Sequence, residues 1–264
     1  MKPEDHASAA RALIDAERTH TQTGLLSVAY PDITMDDAYA IQAQVVAAKV
    51  ASGDPVIGWK IGLTSRAMQQ ALNIDIPDSG VLTRSMHFDS GATIPAGRFI
   101  QPRVEAEIAF VMGADLGGED VTRDNVLAAT DHVAPALEIL DTRILRADPE
   151  TGQPRKVFDT IADNAANAGI VLGTARHQPN DLRWVGTIAK AGDTVEETGL
   201  GAGVLNDPVE SVVWLARRMA TYGATIKAGQ VILSGSFIRP IECPSGTHIH
   251  ADFGSFGEVA LTFA

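Results

Sequence analysis

The sequence holds a single cysteine, Cys243, in 264 residues, so an intrachain disulfide is impossible and a thiolate metal cluster is excluded. Any metal would have to be held by oxygen or imidazole, which narrows the choice to hard ions such as Mg²⁺ or Mn²⁺ or to a histidine-rich site. Basic residues are scarce as well: 21 Lys and Arg face 33 Asp and Glu, a formal net charge of −12. That balance opposes nucleic-acid binding, which needs a basic face to offset phosphate charge. No apolar run approaches the roughly 18 residues that span a bilayer. Near the amino terminus Glu4 and Asp5 stand where a secretory signal would carry a basic flank. The expectation is a cytoplasmic protein with neither nucleic-acid nor membrane partners. A Walker phosphate loop, a Gly-x-Ser-x-Gly elbow, internal repeats and low-complexity linkers are all missing. Gly199, Gly201 and Gly203 imitate a dinucleotide fingerprint, but no strand precedes them.

Hydrophobic residues make up 45% of the chain and charged residues 20%, enough apolar material for one large domain, or for a small part joined to a larger one. Ala9, Leu13 and Ala16 fall on one helical stripe. A second helix is expected after Tyr30-Pro31, with Thr34 as N-cap, Asp37 three residues on, and Ala38, Ile41, Val45 and Ala48 at helical spacing. From Val56 the texture changes to short β-like runs, at 56–61, 94–100, 104–112 and 134–140. Asp207, Pro208 and Glu210 mark a later helix with a capping-box pattern, which Gly223 is placed to end. Strands over 230–234 and from 248 to the terminus complete an α+β class. The expected division is a helical part with the Lys60 loop over residues 1–75 and a mainly β body over 76–264.

Residues 103–112 carry the most chemistry. In an extended strand Val104, Ala106, Ile108, Phe110 and Met112 share one face and Glu105 and Glu107 the other, their Cα atoms about 7 Å apart. Two carboxylates so placed can grip a hard cation, although a half-solvated strand remains open on spacing alone. Glu138 is the only charge in the apolar run 134–140, and a buried carboxylate is costly unless paired or metal-bound. Three glutamates would fill half the octahedral shell of Mg²⁺ and leave positions for water and a chelating substrate. Lys60, between Gly58 and Gly62, has either a lowered pKa suited to proton transfer or an ammonium that snorkels to the surface. Asp78 reads locally as a turn aspartate. His248 and His250 alternate with apolar residues as on a solvent-facing strand, and His6, His20, His87, His132 and His177 read as surface residues.

Taken together, residues 58–65, 77–80, 103–110, 135–143, 163–173 and 233–237 resemble the hydratase and decarboxylase branch of the fumarylacetoacetate hydrolase-like superfamily. Residues 148–160 are more specific and resemble its hydratases of seven-carbon dicarboxylates from homoprotocatechuate and 4-hydroxyphenylacetate catabolism. The resemblance implies a mixed β roll of the superfamily's C-terminal-domain type with a smaller helical N-terminal part, assembled into a homo-oligomer, commonly a decamer. It implies Glu105, Glu107 and Glu138 as ligands of Mg²⁺, with Mn²⁺ as a substitute, and Lys60 and Asp78 in proton transfer. The reaction it implies is metal-assisted addition of water to a 2-oxo-alkenedioate by way of its 2-hydroxydienoate tautomer. Arg155, Lys156 and, more weakly, Arg143 are candidates to meet the distal carboxylate, with surface solubilising charge as their other reading. Ser236, Asn164 and Asn167 are candidates to line the keto-acid pocket. Within the branch, hydration of the five-carbon monoacid and decarboxylation of 4-oxalocrotonate stay open, as does, from another class, a non-catalytic partner subunit.

Overall fold

A computed structural model of the chain describes residues 1–66, 69, 70, 74 and 76–264. Helix α1 (Pro3–Thr19), the short α2 (Leu26–Ala29) and α3 (Met35–Ala51) open the chain. Thr34 caps α3 as expected: its Oγ1 accepts from Asp37 N at 3.2 Å while its own N donates to Asp37 Oδ2 at 2.9 Å. Ala9, Leu13, Leu26, Ile41 and Val45 bury the inner faces of these helices in a small core of their own, completed by Ile144 and Ile161. The opening helices therefore pack against later parts of the chain as well as against each other.

Among the described residues the body has thirteen strands. They are β1 (Val56–Gly62), β2 (Asp78–Thr83), β3 (His87–Asp89), β4 (Thr93–Ile94), β5 (Arg103–Met112), β6 (Thr130–Leu140) and β7 (Asn167–Leu172). After them come β8 (Gly186–Ala191), β9 (Thr194–Leu200), β10 (Val231–Ser236), β11 (Ile241–Glu242), β12 (His248–Asp252) and β13 (Glu258–Phe263). The described residues also form α4 (Arg123–Ala129), α5 (Val157–Ala162) and α6 (Pro208–Thr221). The larger, eight-stranded sheet runs β2-β1-β10-β5-β6-β7-β3, with β11 paired to β5, and the smaller runs β4-β13-β12-β8-β9. β1–β10, β3–β7 and β4–β13 are parallel and the other pairs antiparallel, so the chain is a mixed α/β protein with two mixed sheets.

The alternation along β5 decides which side of the larger sheet is core. Val104, Ala106, Ile108, Phe110 and Met112 enter the main hydrophobic cluster with Leu137 and Ile139 of β6, Val212, Leu215 and Ala216 of α6, and Ile249 and Leu261 of the smaller sheet. The other face carries Glu105, Glu107 and Glu138 beside small and aliphatic residues such as Ala109, Ala136 and Leu233. Asn164, just before β7, donates through Nδ2 to Val81 O at 2.9 Å and accepts through Oδ1 from Val81 N at 2.8 Å. A side-chain amide thus supplies the rung that ties β2 to the start of β7, bringing opposite ends of the sheet order together.

Three expectations change here. Residues 94–100 are not a strand: β4 stops at Ile94 because Pro95 has no N–H to continue the ladder, and Gly97 takes φ +74 in a turn closed by Arg98 N to Pro95 O at 3.1 Å. Asp207 does cap α6, through its side chain to Val209 N at 3.0 Å, but without the reciprocal box expected of Glu210. Lys60, expected on a loop of the helical part, lies within β1 in the larger sheet.

Replacing Asn164 by Ala leaves the buried N–H and C=O of Val81 without partners. Two such groups cost roughly 2–4 kcal/mol together. Urea titration of Asn164→Ala should show that loss with an unchanged m-value, and a stability equal to wild type would show that the rung is dispensable.

Candidate active site

Antiparallel pairing sets Glu105 directly opposite Glu138, and Glu107 follows on the same face opposite Ser236 of β10. One carboxylate oxygen from each glutamate lies within 4.8 Å of the others. Glu107 and Glu138 are 0% exposed. Gly235 N donates to Glu107 Oε2 at 2.8 Å, and Asn167 Nδ2 donates to Glu138 Oε1 at 2.6 Å. Glu107 Oε1 and Glu138 Oε2 are buried with no hydrogen-bond partner. The second oxygens of two buried carboxylates therefore lack any partner among the described residues.

Lys60 reaches the same place from β1. Its Nζ lies 3.4 Å from Glu138 Oε1, and the residue is 4% exposed. Asp78, at the start of β2, is 3% exposed, pairs in register with Gly62, and leaves Oδ1 unpartnered. A Cβ at Gly62 would stand 2.3 Å from Asp78 Oδ1 and 3.0 Å from Lys60 Nζ, so glycine is what lets the two groups border one point. Both local readings are thereby corrected: Lys60 does not snorkel, and Asp78 is a buried strand residue.

The electrostatics are those of too many acids in a dry space. Burial pushes the Glu105 carboxyl up to about 8, with the charge of Glu138 adding to it. Glu107 is held well above the ordinary carboxyl range by burial and then by Glu138 and Glu105, and Asp78 is raised by burial against the pull of Lys60. Burial alone would lower Lys60, but Glu138, Asp78, Glu105 and Glu107 outweigh it and the ammonium is held above its ordinary value. The lowered lysine pKa considered from sequence is thus reversed. Four carboxyl groups around one ammonium need further positive charge if all are to ionise. A divalent cation at the three glutamates matches the orphaned oxygens and an all-oxygen donor set.

The remaining candidates take other places. Arg143 is buried and donates four of its five N–H groups to protein: Nε to the Asp163 carboxylate, Nη1 to Asp141 O, and Nη2 to the carbonyls of Asp163 and Asn167. This clamp grips both ends of a left-handed turn, in which Asn164, Ala165 and Ala166 have φ of 52, 53 and 60° without a glycine among them. Strain of this kind persists only where surroundings over-determine it, and here the turn delivers Asn167 to Glu138. Ser236 Oγ donates to Ile238 O at 2.7 Å and accepts from Ile238 N at 3.1 Å, closing the turn after β10. Arg155 is half-buried with Nη1 unpartnered, and Lys156 is exposed at the N-cap of α5. Of the histidines read as surface residues, His6 is half-buried on Asp37 at 2.7 Å and His177 stacks on Phe256 at 4.4 Å. Sequence reasoning missed Gly62, Asp163 and Gly235. Only the spacing of Gly62 from Lys60 offered a local signal.

No protein-family model matches the chain. Among curated proteins it is similar to 2-oxo-hept-4-ene-1,7-dioate hydratase of Escherichia coli, 47% identical over 98% of this chain and 97% of that protein. It is also similar to 2-keto-4-pentenoate hydratase of Paraburkholderia xenovorans (strain LB400), 40% identical over 100% of this chain and 96% of that one. Among solved structures, 4-oxalocrotonate decarboxylase from Pseudomonas putida G7, complexed with magnesium and adipate, superposes with a TM-score of 0.93 at 29% identity, covering 100% of this chain and 99% of that one. Fold and site together define a carboxylate-centred enzyme of the fumarylacetoacetate hydrolase-like superfamily. Within it the chain belongs to the hydratase and decarboxylase branch, whose curated relatives here are hydro-lyases.

The raised carboxyls fix a sign. The folded state holds more protons than the unfolded chain between the ordinary value of 4.5 and the folded value of about 8 for Glu105, so metal-free stability falls as pH rises through that window. In chelator, the melting temperature should drop from about pH 5 to about pH 8. Millimolar Mg²⁺ should restore it at the upper end and change little at the lower, and a flat profile in chelator would contradict the crowding of these acids.

Proposed function

We propose that this protein is a Mg²⁺-dependent hydratase that adds water to 2-oxohept-4-ene-1,7-dioate, through its 2-hydroxydienoate tautomer, to give 4-hydroxy-2-oxoheptanedioate. The observation that carries the reading is the glutamate trio, with the unpartnered buried oxygens of Glu107 and Glu138, beside Lys60 and Asp78, in a chain 47% identical to a hydratase of that substrate. Glu105, Glu107 and Glu138 are the ligands of the ion, Mg²⁺ by preference and Mn²⁺ as substitute, and the magnesium of the decarboxylase complex supports a divalent ion. Bound there, the cation supplies Lewis-acid polarisation of the keto-acid end of the substrate. Gly235 N and Asn167 Nδ2 orient the carboxylates that hold it.

The proton work falls to Lys60 and Asp78. In the dienol the C2 hydroxyl loses its proton and C5 gains one, which leaves a double bond between C3 and C4 conjugated to the new ketone. Water then adds its hydroxyl at C4, and C3 is protonated. Lys60 Nζ, an ammonium among carboxylates, is the proton donor of the pair. Asp78 Oδ1, buried and without a partner, is the acceptor. Arg143 and Asn164 act from behind the site, through the strained turn, and Ser236 through the loop after β10.

The same reading extends to the setting: a mixed β roll of the superfamily's C-terminal-domain type over 76–264 with a helical part over 1–75, a homo-oligomer up to a decamer, and cytoplasmic service in 4-hydroxyphenylacetate breakdown by the homoprotocatechuate route. Decarboxylation of 4-oxalocrotonate is the second reading, favoured by the TM-score of 0.93 to a decarboxylase. Loss of dienol absorbance should be rapid with the heptadienedioate and Mg²⁺, with no release of CO₂. CO₂ evolution from 4-oxalocrotonate at comparable efficiency would move the assignment to the decarboxylase. Glu107→Gln should lower kcat at least 10²-fold while the circular dichroism spectrum stays that of wild type. Undiminished turnover in this variant would remove Glu107 from the ligand set and discredit a non-substitutable trio.

A further inference from the structure

A cluster of arginines lies along the face that carries the acids and has no part in the chemistry described so far. Arg103 opens β5, on the face of Glu105 and Glu107 and about 7 Å along the strand from Glu105. Its register partner across β11 is Glu242. Glu242 is already taken: Arg146 holds it through Nη1 at 3.0 Å and Nη2 at 3.3 Å. Arg155 is brought to the same place by backbone pairing, its N donating to Arg146 O at 2.9 Å above an Ala147–Pro154 bridge. Arg155 is thus seated beside Arg146, and Arg146 occupies with both Nη nitrogens the carboxylate that Arg103 faces in register.

The other two are left over. Among the described residues neither Arg103 nor Arg155 forms an ion pair or a side-chain hydrogen bond, both are half-buried, and Arg155 Nη1 is buried with no partner. Half-buried guanidinium groups with no hydrogen-bonded partner are completed by an anion with planar, bidentate acceptors. Of the cations nominated from sequence, Arg143 is committed to Asp163 and Lys156 is exposed, so only Arg155 is available for that part.

We propose that Arg103 and Arg155 form the subsite for the distal carboxylate of a dicarboxylate substrate whose keto-acid end lies at Glu105, Glu107 and Glu138. The proposal rests on the hydratase reading and adds to it the determinant of chain length. An extended seven-carbon diacid anchored at the glutamates places its far carboxylate a strand-residue pair away, where Arg103 stands. A five-carbon monoacid offers nothing to the two cations. Arg146, neutralised by Glu242, fixes the backbone of Arg155 without competing for the ligand.

The test compares kcat/KM for the heptadienedioate and for 2-hydroxypenta-2,4-dienoate in wild type, Arg103→Gln, Arg155→Gln and Arg103→Lys, with Mg²⁺ present. Each glutamine variant should lower the ratio of diacid to monoacid efficiency roughly 30- to 300-fold, chiefly through KM, and the lysine variant should recover part of it. Equal losses on both substrates, or none on either, would overturn the subsite. Calorimetric binding of 2-oxoheptanedioate against 2-oxopentanoate separates this from the fate of the reaction itself. If the diacid binds more tightly in an arginine-dependent way while wild type fails to hydrate it, the subsite stands and the assignment of the reaction falls. If wild type shows no preference for the diacid in binding, the subsite is wrong whatever the enzyme catalyses.

Discussion

Mutual repulsion of three closely set glutamates, two of them fully buried, is the constraint around which the rest of the molecule is arranged. Carboxylate oxygens within 4.8 Å of one another, if all charged, repel by roughly 3–4 kcal/mol per pair at an effective dielectric near 20. Three pairs come to about 10 kcal/mol, comparable to the whole stability of a typical domain. A cluster so costly cannot be sustained as three bare charges. It is kept either by protonation, which the raised carboxyls of Glu105 and Glu107 express, or by a cation that turns repulsion into chelation. Lys60 is too little alone, since its single charge is also shared with Asp78.

Holding the acids in place calls for rigidity beyond the strands that carry them. Registered pairing of β5 with β6 fixes where Glu105, Glu107 and Glu138 leave the backbone, and the side chains are then aimed by single donors from elsewhere: Gly235 N from the end of β10, Asn167 from the start of β7. Asn167 is itself aimed by the left-handed turn, and that turn is pinned by the buried Arg143–Asp163 pair and by Asn164 on Val81. Removing one member of a buried ion pair usually costs several kcal/mol because its partner is stranded. The strain at Asn164–Ala166 is therefore carried by buried interactions that take up four of the five N–H groups of Arg143 and both ends of the Asn164 amide.

Much of this frame was legible beforehand, and the limits fall at recognisable physical boundaries. Period-two alternation over 104–112 announced both the buried face of β5 and the acids opposite, because a strand's side-chain period needs no tertiary information. The caps of α3 and α6 were equally local. What could not be read was whatever depends on a partner distant in sequence. Glu138 stood out as a lone charge, but its pairing with Glu105 is a matter of register. Lys60 read as ambiguous because four acids from three strands decide its state. The turn at Asn164–Ala166 was invisible, since no glycine marks its positive φ values and the cause lies in Arg143. Residues 94–100 misled in the opposite sense: apolar content promised a strand where Pro95 and Gly97 impose a turn.

Charge distribution, more than total charge, then governs how such a chain takes an anionic ligand. A net charge of −12 repels a dianion at long range, but surface charges beyond about 8 Å are largely screened at physiological ionic strength. Inside the site the balance differs by position. Three of the acids are concentrated where a divalent cation would reverse their sign, while Arg103 stands one side-chain step along the same strand face with no ion pair among the described residues. With a cation in place, the glutamate cluster and Arg103 would both present positive charge on one face of β5, about 7 Å apart along the strand. Neither alone favours a diacid over a monoacid. On the proposed subsite, a preference for the diacid would arise because β5 carries Arg103 and two of the three glutamates on one face, so that strand geometry would set the length of the ligand.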